Sequence, residues 1–298
     1  MKPPQVETMK PRIDTAMILS DSRRLAYAEW GEPEGHPVIF FHGSPSGRLL
    51  HHPDPRDYEG VRWITVDRPG YGGSDRQPRR QLVDWPRDVA ALADHLGLET
   101  FGVVGLSGGG PHALACAHAI PERVRRSAIV SGMGILTPEL LKRLFPERRL
   151  GVRIARWTPW LLRPLIALTA NPHRAERAHA KVVAQCPSDR AILLRPDVRE
   201  MLIANWKDAN GSGLHGFASD ARIFARPWGF DPAAIQTRLR FWHGDSDESV
   251  PIEMARALAS SAPNASLEVV AGAGHFLFFE HFRDIVEWIQ AGAGAGSA

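Results

Sequence analysis

The chain has 298 residues, 44% of them hydrophobic and 23% charged, with a formal net charge of +3 at pH 7. This is the composition of an ordinary folded globular protein: the small basic excess is no footprint for nucleic acid, and no stretch approaches the roughly 18 consecutive apolar residues of a membrane span. Cys116 and Cys186 supply no disulfide framework, and Met1 to Glu7 lacks the apolar core of a signal peptide, so a cytoplasmic protein is expected. A length near 300 predicts one large sheet domain with an insertion. After a Pro- and Lys-rich arm to about Asp14, Ala16–Leu19 and Arg24–Trp30 read as an antiparallel strand pair turning at Asp21-Ser22. Pro37–Phe41 and Val61–Val66 are nearly continuous apolar runs that suit central parallel strands. Val89, Leu92, Ala93 and Leu96 recur at helical spacing, and Gly97 is a C-terminal stop.

Phe101–Gly105 is the next strand, and it runs into Gly105-Leu106-Ser107-Gly108-Gly109 and then a helical stretch, Gly110 to Ala117. A serine on a sharp strand-to-helix turn needs small neighbours two residues away on each side, and Gly105 and Gly109 supply them. Such a turn lifts the hydroxyl clear of the sheet and aims the following N–H groups toward developing negative charge. Ser107 is therefore the candidate nucleophile. A serine hydroxyl needs a base held in place by an acid, and G-x-S-x-G sheets bring these in the order Ser, Asp or Glu, His. Ser127–Ser131 is a further strand. Downstream, Leu239–His243 is a strand ending in a loop with Asp245 and Asp247, and Ser266–Val270 is a strand followed by Ala271-Gly272-Ala273-Gly274-His275. Both ionisable groups follow the C-terminal end of a strand, where parallel sheets place their chemistry.

Between Gly134 and Asp231 the alternation stops. The segment is rich in Arg, Pro and Trp, with candidate helices at Pro138–Phe145, Gly151–Thr158, Trp160–Thr169, Ala175–Gln185, Asp197–Lys207 and Gly216–Ala225. The predicted organisation is a core at 1–133, a helical lid at 134–231 and the rest of the core at 232–298, with a flexible Gly/Ala tail from about 291. Trp157, Phe217, Phe224 and Trp228 are candidates for a substrate-lining wall, the last three because their segment must return to the sheet near Asp247. Lys142, Arg143, Arg148, Arg149, Arg153, Arg156 and Arg163 form a basic cluster that reads as a solvated face.

Phe41-His42-Gly43-Ser44-Pro45, Asp67-Arg68-Pro69-Gly70-Tyr71-Gly72-Gly73-Ser74-Asp75, the Ser107 turn, Gly244 to Pro251 and Gly274-His275 occur in one order. Together they resemble the α/β-hydrolase superfamily, in its lid-bearing esterase-like branch, from about Ala16 to Gln290. The resemblance implies a doubly wound, mostly parallel sheet of the eight-stranded type with a helical lid after the sixth strand. It implies Ser107 as nucleophile, His275 as base, and Asp247 over Asp245 as acid, because the pattern G-x-x-D-x-x-V-P puts Val250 and Pro251 in register. It also implies an oxyanion hole from the N–H groups of Gly108 and Ser44. The implied activity is cleavage of a carboxylic ester of a small, largely apolar substrate, with no cofactor or metal, by a monomer or homodimer.

Ser107 at the elbow argues against epoxide hydrolases and haloalkane dehalogenases, which resemble this chain but have Asp there. Carbon–carbon bond hydrolases, perhydrolases and a non-catalytic small-molecule receptor on the same fold share the residue set. Of the other histidines, His42 reads as structural, His112 as a helix residue near the site and His243 as packing. His281 begins the last helix. His51-His52 lies on a predicted helix edge, with no third ligand at metal spacing.

Overall fold

A computed structural model describes residues 9–144, 146–162, 175–211 and 213–291. The apolar runs form eight strands: β1 (Ile13–Ile18), β2 (Arg24–Gly31), β3 (His36–Phe41), β4 (Val61–Val66), β5 (Phe101–Leu106), β6 (Val124–Val130), β7 (Arg238–Gly244) and β8 (Ala265–Val270). They make one sheet in the order β1-β2-β4-β3-β5-β6-β7-β8. β2 is antiparallel to both its neighbours, and the pairs from β4 to β8 are parallel. The central strands have no solvent face, which is why they read as unbroken apolar runs.

Alternate residues feed two cores, as the period of a strand requires. Ile39, Phe41, Ile64, Val66 and Val103 pack on one face with α1 (Trp85–His95), α2 (Gly110–Ala119) and, later in the chain, a helix at Ile252–Ser261. Val38, Phe40, Trp63, Val104 and Val130 pack on the other with the last helix, Phe282–Gln290, through Phe282, Ile285, Val286 and Ile289.

The helical insertion lies between β6 and β7. Its described elements are α3 (Pro138–Leu141), α4 (Pro146–Trp157), a 3-10 turn (Pro159–Leu161), α5 (Ala175–Gln185), a 3-10 turn (Pro187–Asp189), α6 (Arg190–Leu193), α7 (Pro196–Gly211) and α8 (His215–Phe224); α9 (Ile252–Ser261) and α10 (Phe282–Gln290) then complete the core. Among the described residues the insertion has no strand. The helix expected at Pro138–Phe145 is shorter, and the one expected from Gly151 begins at Pro146, because proline suits a first helical turn. Of the helix expected at Trp160–Thr169, residues 163–169 lie outside the described residues. So do Arg163, the side chain of Arg148, the first eight residues and most of the C-terminal tail.

The insertion has a small core of its own around Ala155, Leu162 and Ala225, against which Trp206 and Phe217 pack. It is also bound to the sheet domain through main chain: Gly72 N–H donates to Ala209 at 3.0 Å and Gly216 N–H to Gly70 at 2.9 Å. Asn205 bridges Ser46 and the Gly47 N–H. No helix among the described residues is long and apolar enough to cross a membrane.

Two glycines separate backbone contact from mere helix composition. A Cβ on Gly109 would strike the Phe41 and His42 carbonyls, whereas Gly151, inside α4, faces open space. Gly109→Ala is expected to cost about 3 kcal/mol or more through forced backbone movement, and Gly151→Ala to stabilise by about 0.5–1 kcal/mol. Urea denaturation of the two variants beside the parent checks both signs.

Candidate active site

β5 ends at Leu106 and the chain turns through a 3-10 segment, Ser107–Gly109, into α2. Ser107 sits at φ +53°, a left-handed conformation that an L-residue adopts only when its surroundings enforce it. They do so by contact: a Cβ on Gly105 would lie 2.5 Å from the Gly109 carbonyl oxygen and 2.8 Å from the Ala113 Cβ. The N–H groups after Ser107 thereby stand at the N-terminus of α2.

Ser107 Oγ lies 3.0 Å from His275 Nε2, and His275 Nδ1 lies 2.8 Å from Asp247 Oδ2. A carboxylate only accepts, so Nδ1 carries the proton and Nε2 is left to accept from the serine hydroxyl. Asp247 is held by its own loop, its Oδ1 accepting from the N–H groups of Ser249 at 2.7 Å and Val250 at 2.8 Å. Burial alone would raise its pKa. Attraction to the imidazolium that His275 forms on protonation, and hydrogen bonds from His243 and His275, overcome that and hold the carboxyl well below the usual carboxylate range. Asp245 is elsewhere: its Oδ1 accepts from the Gly272 N–H at 2.7 Å and ties two loops together.

Ser44 and Gly108 are brought together, since a Cβ on Gly108 would lie 2.5 Å from Ser44 Oγ and 3.2 Å from the Phe224 ring. Phe224 therefore abuts the elbow, with His112 at a ring separation of 6.0 Å. The other expected wall residues are placed differently. Trp228 packs in the sheet-domain core beside Phe230, and Phe217 in the core of the insertion. Trp157 is 71% exposed with Arg156 over its ring, a surface position rather than the wall of an enclosed pocket.

Behind Ser44 lies a buried polar cluster that sequence reasoning missed. Asp220, on α8, is fully buried and accepts from Ser44 Oγ at 2.6 Å, Arg68 Nη2 at 2.8 Å and Tyr71 Oη at 3.0 Å, and also from Arg80. Burial opposes its ionisation, but the two guanidiniums hold its carboxyl far below the usual range. The signal was present: Asp220 falls on the same helical stripe as Gly216, Phe217, Ile223 and Phe224, where a charge needs a buried partner. Asp189, in the turn before α6, is also buried and accepts from the His275 N–H at 2.7 Å and the Phe276 N–H at 2.8 Å. Nothing in Pro187-Ser188-Asp189 distinguishes it from a turn residue.

The remaining histidines sort by contact. His42 Nδ1 meets the Gly43 carbonyl at 2.7 Å and His112 Nδ1 the Gly108 carbonyl at 3.0 Å, and burial pushes the pKa of each well down. His243, expected only to pack, has Nε2 2.9 Å from the Val250 carbonyl and 3.3 Å from Asp247 Oδ2. His51 and His52 lie outside any helix and diverge: His51 stacks on Trp30, and His52 Nε2 meets the Phe279 carbonyl at 3.0 Å. Among the described residues, the one group with metal-ligand spacing is Cys186, Asp189 and Glu248. Asp189 there accepts from two N–H groups, Glu248 Oε2 lies 2.6 Å from Ser188 Oγ, and Cys186 Sγ lies 3.3 Å from Ser249 Oγ.

A family model described as alpha/beta hydrolase fold matches residues 36–282. A 2-hydroxymuconate semialdehyde hydrolase of Pseudomonas putida is 28% identical over 279 residues, covering 88% of this chain and 89% of that one. Among solved structures, a hydrolase from Pseudomonas aeruginosa PA01 superposes with a TM-score of 0.71 at 19% identity, covering 95% of this chain and 98% of that one. An esterase from Exiguobacterium antarcticum superposes with a TM-score of 0.70 at 19% identity, covering 93% and 100%. At that identity these structures speak to the fold alone.

The Asp220 cluster carries a prediction for stability. Removing the carboxylate leaves Arg68 and Arg80 buried without their counter-charge, so Asp220→Asn is expected to cost about 3–5 kcal/mol at neutral pH. Because its folded pKa is depressed, the contribution of Asp220 is present above the unfolded carboxyl pKa near ~4 and is lost as pH falls below it. Thermal melts from neutral to acid pH should therefore show a lower Tm and a shallower acid decline in the variant than in the parent.

Proposed function

We propose that this chain, which belongs to the α/β-hydrolase family, is a serine hydrolase that cleaves a carboxylic ester through an acyl-enzyme on Ser107. The observation that carries the reading is the unbroken line of contacts from Ser107 Oγ through His275 to Asp247, at 3.0 and 2.8 Å. His275 takes the hydroxyl proton at Nε2 as Ser107 Oγ bonds to the substrate carbonyl carbon. Asp247 keeps the proton on Nδ1 and balances the imidazolium. The carbonyl oxygen becomes an oxyanion beside the N–H groups of Gly108 and Ser44. His275 then returns its proton to the departing alcohol, and water enters by the same base to release the acid. This acyl transfer needs no cofactor.

The electrostatics on the oxyanion side favour that step. Burial disfavours the charged forms of His42 and His112, and Arg68 and Arg80 both face the carboxylate of Asp220 behind Ser44. Asp220 also fixes the Ser44 side chain, which leaves the Ser44 backbone to serve the site. The insertion acts as a lid in this reading: it supplies Phe224 against the elbow, and an apolar wall there suits a small, largely apolar acyl or alcohol group.

A second reading, cleavage of a carbon–carbon bond, is supported by the relative from Pseudomonas putida, which is named a hydrolase of 2-hydroxymuconate semialdehyde, a substrate whose name specifies no ester. The same three residues serve either reaction. Assay of p-nitrophenyl butyrate and of a vinylogous diketone separates them: ester turnover well above the diketone rate is expected. Ser107→Ala should lower kcat on the ester by roughly 10⁴–10⁶-fold and Asp247→Asn by roughly 10⁴-fold. Diketone cleavage as the only Ser107-dependent reaction would favour the second reading, and ester turnover that survives Ser107→Ala would remove both.

A further inference from the structure

The segment Cys186–Asp189 of the insertion grips the two loops that carry the base and the acid. Asp189 places one carboxylate oxygen on each of two successive N–H groups, those of His275 and Phe276. Ser188 Oγ lies within hydrogen-bond reach of two acceptors, the Ser246 carbonyl at 2.9 Å and Glu248 Oε2 at 2.6 Å, on either side of Asp247. Cys186 Sγ lies 3.3 Å from Ser249 Oγ, one residue further along the same loop. Adjacent residues of one turn therefore hold the peptide of His275 and the loop of Asp247, separated from that turn by 86 and about 58 positions along the chain. Gly274 closes the grip, since a Cβ there would run into the Asp189 carboxylate.

Such a contact sets orientation rather than merely filling space. A carboxylate accepting from two consecutive N–H groups forms two charge-assisted hydrogen bonds in a fixed plane, and it fixes the peptide from which the imidazole projects. Its burial is unfavourable in itself, and desolvation raises the Asp189 pKa above the ordinary carboxyl value despite both N–H groups. A side chain kept ionisable in so costly a place is serving the loops it holds.

On the reading of the site as a serine hydrolase, we propose that Asp189 is a positioning residue for its catalytic histidine. Acting through the main chain, and with Ser188, it sets the distance and angle between His275 and Asp247. The insertion then completes the base–acid pair as well as covering it. Asp189 is buried with both carboxylate oxygens on main-chain N–H groups, so its loss should affect the chemical step and spare binding.

The test uses the full chain and p-nitrophenyl butyrate. Asp189→Asn puts an NH₂ group against one of the two N–H donors, and misplacement of the imidazole should lower kcat about 10–100-fold with KM within about threefold of the parent. Gly274→Ala pushes the same carboxylate away from the other side and should give the same split. The double variant should be no worse than the weaker single, because both act on one contact. A melt of each variant shows that the protein assayed is folded; if Asp189→Asn does not fold, Gly274→Ala and Ser188→Ala carry the comparison. Folded variants with kcat within about twofold of the parent, a loss expressed in KM, or additive losses in the double variant would overturn the proposal. Ester turnover that survives Ser107→Ala would instead overturn the hydrolase reading beneath it, so the two failures are distinguishable.

Discussion

Everything at this site depends on how closely the backbone approaches itself around Ser107. The turn from β5 into α2 leaves no room for a Cβ at Gly105 or Gly109, and this contact forces Ser107 to φ +53°. A residue in that conformation costs of order 1–3 kcal/mol and persists only where its neighbours over-determine it. The sheet does so here. Phe41 and His42, at the end of β3, press on Gly109 from one side, and Ala113 of α2 presses on Gly105 from the other. The central parallel strands are thus a rigid frame that exposes one hydroxyl at the sheet's C-terminal edge, within reach of His275.

The insertion adds a second constraint of a different kind. Two of its carboxylates are fully buried, and each reaches a different half of the site: Asp220 the Ser44 side, Asp189 the His275 side. Their energetics differ in sign. Asp220 is stabilised as an anion by two guanidiniums, so it binds insertion to core. Desolvation opposes both anions, and at Asp189, where main-chain N–H groups stand in place of guanidiniums, it prevails and raises the pKa. Buried charge is an expensive way to join two parts of a fold, but it is directional in a way that apolar packing is not.

The frame was legible in the sequence because its signals are local. The runs at Pro37–Phe41 and Val61–Val66 are buried on both faces, and the Gly105–Gly109 turn carries its steric demand in five residues. The loops bearing Asp247 and His275 follow strands, so chain order sufficed to pair them. Legibility failed where partners are distant or are backbone. Asp189 binds two N–H groups 86 and 87 positions away, which leave no trace in residue type. Trp157, expected to line a pocket because it is aromatic and within the insertion, lies at the surface instead; composition says nothing about which way a helix is turned. The place of His243 at a strand end predicts packing alone, and only the three-dimensional loop brings Asp247 within 3.3 Å of it.

The central claim is that Ser107 is the activated nucleophile of this fold. Labelling the protein with a fluorophosphonate, digesting it and mapping the adduct by mass spectrometry measures this without knowledge of the substrate. The expected result is one adduct per chain, on the peptide that contains Ser107, abolished in His275→Ala because the serine then lacks its base. An unmodified Ser107 under conditions that label a known serine esterase, or an adduct on another residue, would contradict it.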